Sequence, residues 1–176
     1  VALSAAGIVL ALVLGASDDF GRRYKAEALI LRSRWVGWYI DSPFRIDPVD
    51  DEDLYACSLA GQPPEIYLST GIRRVLTSDE CASIIAYEKS HVLRRHNFVI
   101  RVATVNSACL PRQLAVSRRF RTSVLALVEM IADDDAAQTT SAASINRALE
   151  SISGFSGDAS LRLRSLRLRR IHLGTG

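Results

Sequence analysis

Cysteine is scarce in this chain and never forms a C-x-x-C pair: Cys57, Cys81 and Cys109 are odd in number and far apart. A disulfide framework or a cysteine zinc site needs paired or closely spaced thiols, so neither is indicated and buried free thiols remain as the reading. Internal repeats and low-complexity tracts are also missing, as are helix-turn-helix and zinc-finger spacings. What is there is ordinary globular material, 48% hydrophobic and 23% charged over 176 residues. That length supports one sizeable core, and the composition is that of a folded domain.

An uncharged apolar run stands at the start, where Val1–Gly15 reads VALSAAGIVLALVLG. Crossing a bilayer takes about 20 apolar residues, so the run is short alone but sufficient as the end of a membrane helix. Residues 1–17 are therefore expected to be a truncated transmembrane helix, with a buried core helix as the alternative. Arg22, Arg23, Lys25, Arg32 and Arg34 follow in a basic connecting segment, 18–40. Such a Lys/Arg excess places the domain behind it on the cytoplasmic side of the cell membrane.

The net charge of +3 is modest, and much of the basic excess sits in LRLRSLRLRRIHL (Leu161–Leu173), with five Arg and six aliphatic residues. Arginines interleaved with leucines suit a membrane surface, so residues 154–176 read as a basic juxtamembrane tail. An amphipathic segment packed on its own domain fits equally well. Nucleic acid ranks lower as a partner, because no stacking aromatic accompanies these arginines.

Between these ends, residues 41–153 divide at their punctuation. Pro43, Pro48, Pro63 and Pro64 and the acidic cluster Asp50–Asp53 fall in one block, which leaves two short β-prone segments, Leu54–Leu59 and Glu65–Ser69, joined by a turn over Ala60–Pro64. Thr77-Ser78-Asp79-Glu80 fits a capping box, so a long helix is expected from Ser78 to about Asn97 or beyond, with Pro111 as its latest break. Strong helix formers run from Val124 to Ala137, and a shorter helix, Ala142–Ile152, is expected to end at Gly154.

The chemistry-bearing stretch is IIAYEKSHVLRRHN (residues 84–97). Ile84, Tyr87, Glu88 and His91 recur at helical spacing and share one face, and a carboxylate and an imidazole on an inward face must be hydrogen-bonded or metal-bound. Two zinc ligands four apart on a helix converge on one ion, and a Glu beside the first can take a proton from metal-bound water. Downstream, Glu129 and Asp133 lie one turn apart beside the small Ala132 and Ala136. A Glu there suits a third zinc ligand, and the Asp suits the partner that orients a ligand imidazole. His96 lies about 140° round a continuous helix from His91 and does not substitute for a ligand.

The order of these pieces resembles the catalytic domain of bacterial membrane-bound gluzincin metallopeptidases, the group of beta-lactam-sensor antirepressor peptidases and heat-shock membrane proteases. The resemblance covers roughly Leu54–Ile152 and rests on YACSLAG (Tyr55–Gly61), on PPEIYLSTGIRRVLTSDECASIIAYEKSHVLRRHN (Pro63–Asn97) and on LVEMIADDDAA (Leu127–Ala137). It implies a mainly α fold with a small β-sheet (α+β), a zinc-site helix packed on a second Glu-bearing helix, and flanking membrane segments. Residue by residue it implies zinc as cofactor, Glu88 as general base, His91 and Glu129 as ligands and Asp133 as the acid supporting them. It also implies a peptide or protein substrate aligned along Tyr55, Ala56, Cys57 and Ser58 by β-augmentation.

Tyr87 stands where that group has its first zinc-binding His, and a neutral phenol is a poor zinc ligand. Three readings follow: a membrane-anchored zinc endopeptidase with Tyr87 as an unusual ligand, a pseudo-peptidase that keeps the fold as a sensor or scaffold, or an unrelated helical membrane-associated protein.

Overall fold

A computed structural model describes residues 39–41, 43–59, 61–109 and 115–173. The expected apolar span, nearly all of the basic connecting segment and Pro111 lie outside the described residues. Among the described residues no helix is long and apolar enough to cross a membrane.

The described residues are mainly helical with one small sheet. Strands β1 (Tyr39–Asp41), β2 (Phe44–Val49), β3 (Ala56–Leu59) and β4 (Glu65–Ser69) lie in the order β1-β2-β4-β3. The central pair β2–β4 is parallel, while β1–β2 and β3–β4 are antiparallel. β4 is buried along its whole length, and its alternation divides the interior. Ile66 and Leu68 join the main core, whereas Tyr67 packs with Val49 and Leu59 in a smaller cluster on the other face.

Two of these strands were not expected from the sequence. Pro48 lies inside β2, and proline normally argues against a strand because it lacks an N–H. β1, however, pairs with β2 only as far as Ile46, so Pro48 lies past the end of that ladder.

Helix α1 (Thr70–Val75) leaves β4 at once, with the Ser69 hydroxyl accepting from the backbone N–H of Ile72. The loop before β3 folds against this start: Gly71 N–H and the Thr70 hydroxyl both donate to the carbonyl of Asp51, each at 2.8 Å. A Cβ on Gly71 would sit 2.1 Å from the Glu52 carbonyl oxygen, so only glycine fits.

Helix α2 (Ser78–Leu93) begins with the expected capping box. Glu80 N–H donates to the Thr77 hydroxyl, and Thr77 N–H donates to the Glu80 carboxylate at 2.9 Å. It ends earlier than expected: Arg95 takes the left-handed conformation, φ +53°, and a separate helix α3 (His96–Cys109) begins behind it. Then come α4 (Ala115–Thr139), α5 (Ala142–Ser156) and α6 (Ala159–Leu168), followed by a π-helical turn over Arg169–Leu173. Helix α5 runs through Gly154 and stops at Gly157, whose φ of +70° supplies the left-handed cap.

The main core joins Ile66 and Leu68 of the sheet to Ile84 of α2, Ala136 of α4, Ile145 and Leu149 of α5 and Leu168 of α6. Helix α2 lies between β3 on one side and α4 on the other. Its Tyr87–Glu88–His91 face is thereby walled in by both. The arginine and leucine stretch forms α6 and the turn after it, packed on α5 and α4 through Leu161, Ser165 and Leu168.

Candidate functional site

Helix α2 presents Tyr87 and His91 one turn apart, with ring centroids 4.6 Å apart and nearly perpendicular. The Tyr87 hydroxyl donates to the carboxylate of Glu129 on α4. The small side chains Ala132 and Ala136, both fully buried, let α4 come this close to its neighbours. The helical register read from sequence thus converges on real neighbours: Tyr87, Glu88, His91 and Glu129 belong to one cluster.

A fifth residue organises it, and sequence reasoning had not singled it out. Arg164 of α6 reaches Glu129 at 2.8 Å and holds both oxygens of the fully buried Asp133 at 2.9 and 2.5 Å. Its guanidinium carbon stands 4.8 Å from the centroid of the Tyr87 ring, in cation–π range. Asp133 therefore engages a guanidinium with both oxygens, where an imidazole partner had been expected. A signal was available: Leu161, Ser165 and Leu168 form the inward stripe of α6, and Arg164 falls on that stripe at i+3 from Leu161.

The neighbouring acids have their own arginines. Asp134 pairs with Arg167 of α6 at 2.9 and 2.6 Å, and Asp135 accepts from Arg94, which caps α2, at 2.7 Å and from the Ser90 hydroxyl at 2.6 Å. Three consecutive aspartates on α4 thus clamp α2 and α6 to it.

His96 also corrects an expectation. A continuous helix would carry it away from His91, but the left-handed Arg95 breaks the helix and turns His96 back. The two Nδ1 atoms lie 3.1 Å apart, so one imidazole donates to the other.

The edge strand β3 borders the site. Ala56 packs toward the main core and Cys57 toward the smaller cluster. Tyr55 precedes the strand and receives the N–H of Ser69 on its carbonyl at 3.1 Å. The Ser58 side chain faces Glu88 and favours its charged form. Among the described residues β3 pairs with β4 alone, so its outer edge has no strand neighbour.

Electrostatics follow from burial and from Arg164. Burial pushes the Glu88 carboxyl up to about 7, against the pull of the Ser58 hydrogen bond; the Glu129 charge adds to the rise and Arg164 opposes it. Burial pushes His91 down to about 4, with Glu129 opposing and the nearby His96 and Arg164 adding to the fall, so it is neutral at pH 7. His96 is lowered as well, by burial first and then by Arg94. Tyr87 is driven well above the ordinary phenol value by burial and by Glu129, despite Arg164, and keeps its proton. Burial works against the charge of Arg164, yet its bonds to Asp133 and the charges around it hold it cationic above the ordinary arginine value.

This donor set suits a zinc ion poorly. Tyr87 is a neutral phenol that spends its proton on Glu129, and Glu129 is already paired with a guanidinium. A further positive charge brought to about 4 Å from Arg164 is repelled by about 4 kcal/mol per unit charge at an effective dielectric near 20. Among the described residues no cluster of three His, Cys, Asp or Glu is arranged to hold a metal ion.

Neither a protein-family model nor a curated protein matches this chain.

Proposed function

We propose that the chain is a metallopeptidase-like domain working as a binding or sensing scaffold without hydrolysis. The observation that carries this reading is Arg164: a cation supplied by the chain itself pairs with Glu129 and Asp133 and lies over Tyr87, where the resemblance calls for a metal. A fixed guanidinium gives two carboxylates a partner and holds α6, α4 and α2 together, but it lowers no water pKa. Beside it, the edge of β3 that has no strand neighbour among the described residues offers backbone groups that an extended peptide can pair with.

One observation favours the hydrolytic reading. A carboxyl near pKa 7, as burial gives Glu88, is matched to general-base work at neutral pH.

Metal content of the purified full chain separates the two. The scaffold reading expects far less than one zinc per chain, the same in Glu129→Ala, and no peptide hydrolysis after zinc is added. One zinc per chain that disappears in Glu129→Ala, with cleavage abolished by Glu88→Gln, overturns it.

A further inference from the structure

Helices α3 and α4 form an antiparallel pair. Arg121 on α4 donates to the Thr104 hydroxyl at 3.3 Å near one end, while at the other His96 lies within the field of Glu129. Two features of this pair have no use in the cluster around Arg164.

The first is charge. Between Lys89 and Val128 the chain carries eight Lys or Arg and no Asp or Glu, although the whole sequence holds 19 acidic residues. The acid-free stretch takes in all of α3 and the first half of α4. Arg95, Arg119 and Arg121 are exposed on it.

The second is an apolar face that nothing among the described residues covers. Phe98, Val99 and Val102 stand out on α3, with Phe98 63% exposed. On α4, Phe120, Leu127 and Ile131 are exposed at i, i+7 and i+11, which aligns them along one side of the helix. Scattered apolar residues on a surface need no explanation, but two aligned rows on neighbouring helices, bordered by arginines, do.

We propose that the α3–α4 pair docks on an anionic lipid bilayer. Aromatic and aliphatic side chains enter the acyl boundary while the flanking arginines meet acidic headgroups, the combination that makes a helical surface an interfacial anchor. A second copy of the chain fits poorly, because two acid-free surfaces repel each other. Nucleic acid fits less well than lipid: Phe98 and Phe120 have a flat face on which a base can stack, but the other four, Val99, Val102, Leu127 and Ile131, do not. The proposal is independent of whether the Arg164 cluster ever holds a metal.

The test uses the full chain with Phe98→Trp and vesicles of phosphatidylcholine alone or enriched in phosphatidylglycerol, each carrying brominated acyl chains. Expected is quenching of the new tryptophan beyond that of the parent's own, on the phosphatidylglycerol vesicles only. Replacing Arg95, Arg119 and Arg121 together by Gln should weaken vesicle binding on the order of a hundredfold, about fivefold for each charge removed. Circular dichroism and the thermal midpoint, unchanged in both variants, serve as the folding control. No extra quenching at position 98 overturns the proposal, as does equal binding to both vesicle types or a preference for RNA over phosphatidylglycerol vesicles.

Discussion

Arg164 on α6 grips both carboxylate oxygens of Asp133 on α4, 31 residues away in sequence. Asp133 is fully buried and the Arg164 side chain is 15% exposed. The pair therefore belongs to the class whose halves depend on each other: each charge is tolerated in the interior because the other is there.

Removing one half should be expensive. Arg164→Ala is expected to lower stability by about 3–5 kcal/mol, as it strands Asp133 and also frees Glu129. The double variant Arg164→Met/Asp133→Leu should recover most of that, since neither charge remains to be buried. Urea denaturation at pH 7 reads both, and a loss under about 1 kcal/mol in the single variant contradicts the burial described.

Glu88 and His91 should pull the pH dependence of stability in opposite directions. Glu88 is raised from 4.5 to about 7, so the folded state binds its proton more tightly and stability falls as pH rises through that window. His91 is lowered from 6.5 to about 4, so the unfolded state binds more protons and stability rises with pH between about 4 and 6.5. In the parent the two trends oppose each other across the overlap. Glu88→Gln should unmask the rise, on the order of 3 kcal/mol at most from the size of the His91 shift, with His96 contributing in the same sense. A flat profile for Glu88→Gln between pH 4 and 6.5 counts against a buried, neutral His91.

Metal competence should need two changes rather than one. Tyr87→His alone leaves Arg164 paired with Glu129 and should take up little zinc. Tyr87→His with Arg164→Gln removes the resident cation and should bind zinc markedly more tightly, by isothermal titration. If the single Tyr87→His variant already binds stoichiometrically, Arg164 is not the obstacle.

Gly71→Ala tests the join between sheet and helix. Its Cβ would overlap the Glu52 carbonyl oxygen, a backbone atom that cannot rotate away. The variant should lose at least about 2 kcal/mol, in the range of overpacking costs. A thermal midpoint within a degree or two of the parent would show that the Asp50–Asp53 loop shifts freely.

Much of the local structure was legible before any coordinates. The capping box at Thr77–Glu80, the strand Glu65–Ser69 and the shared face of Tyr87, Glu88 and His91 all depend on residues within one or two turns of each other. The nearness of Glu129 to Tyr87 was also anticipated, from motif order and small residues. β1 and β2 were not, because a short strand containing Pro48 is stabilised by β4, a partner that local propensity does not reveal. The early end of α2 is hidden for a related reason: Arg94-Arg95-His96-Asn97 contains no Gly or Pro, and the break rests on a non-glycine residue with positive φ.

What the sequence alone determined, then, is periodicity: which side chains share a face, where a helix is capped, and that a carboxylate and an imidazole face inward together. Packing in three dimensions selects which charge meets them. Arg164 reaches Asp133 because α6 packs back over α4, and an ion pair spanning 31 residues is set by packing rather than by spacing. The same guanidinium, chemically identical to those of its neighbours Arg162 and Arg167, becomes the cation at the centre of the cluster because its position on the inward stripe of α6 buries it there.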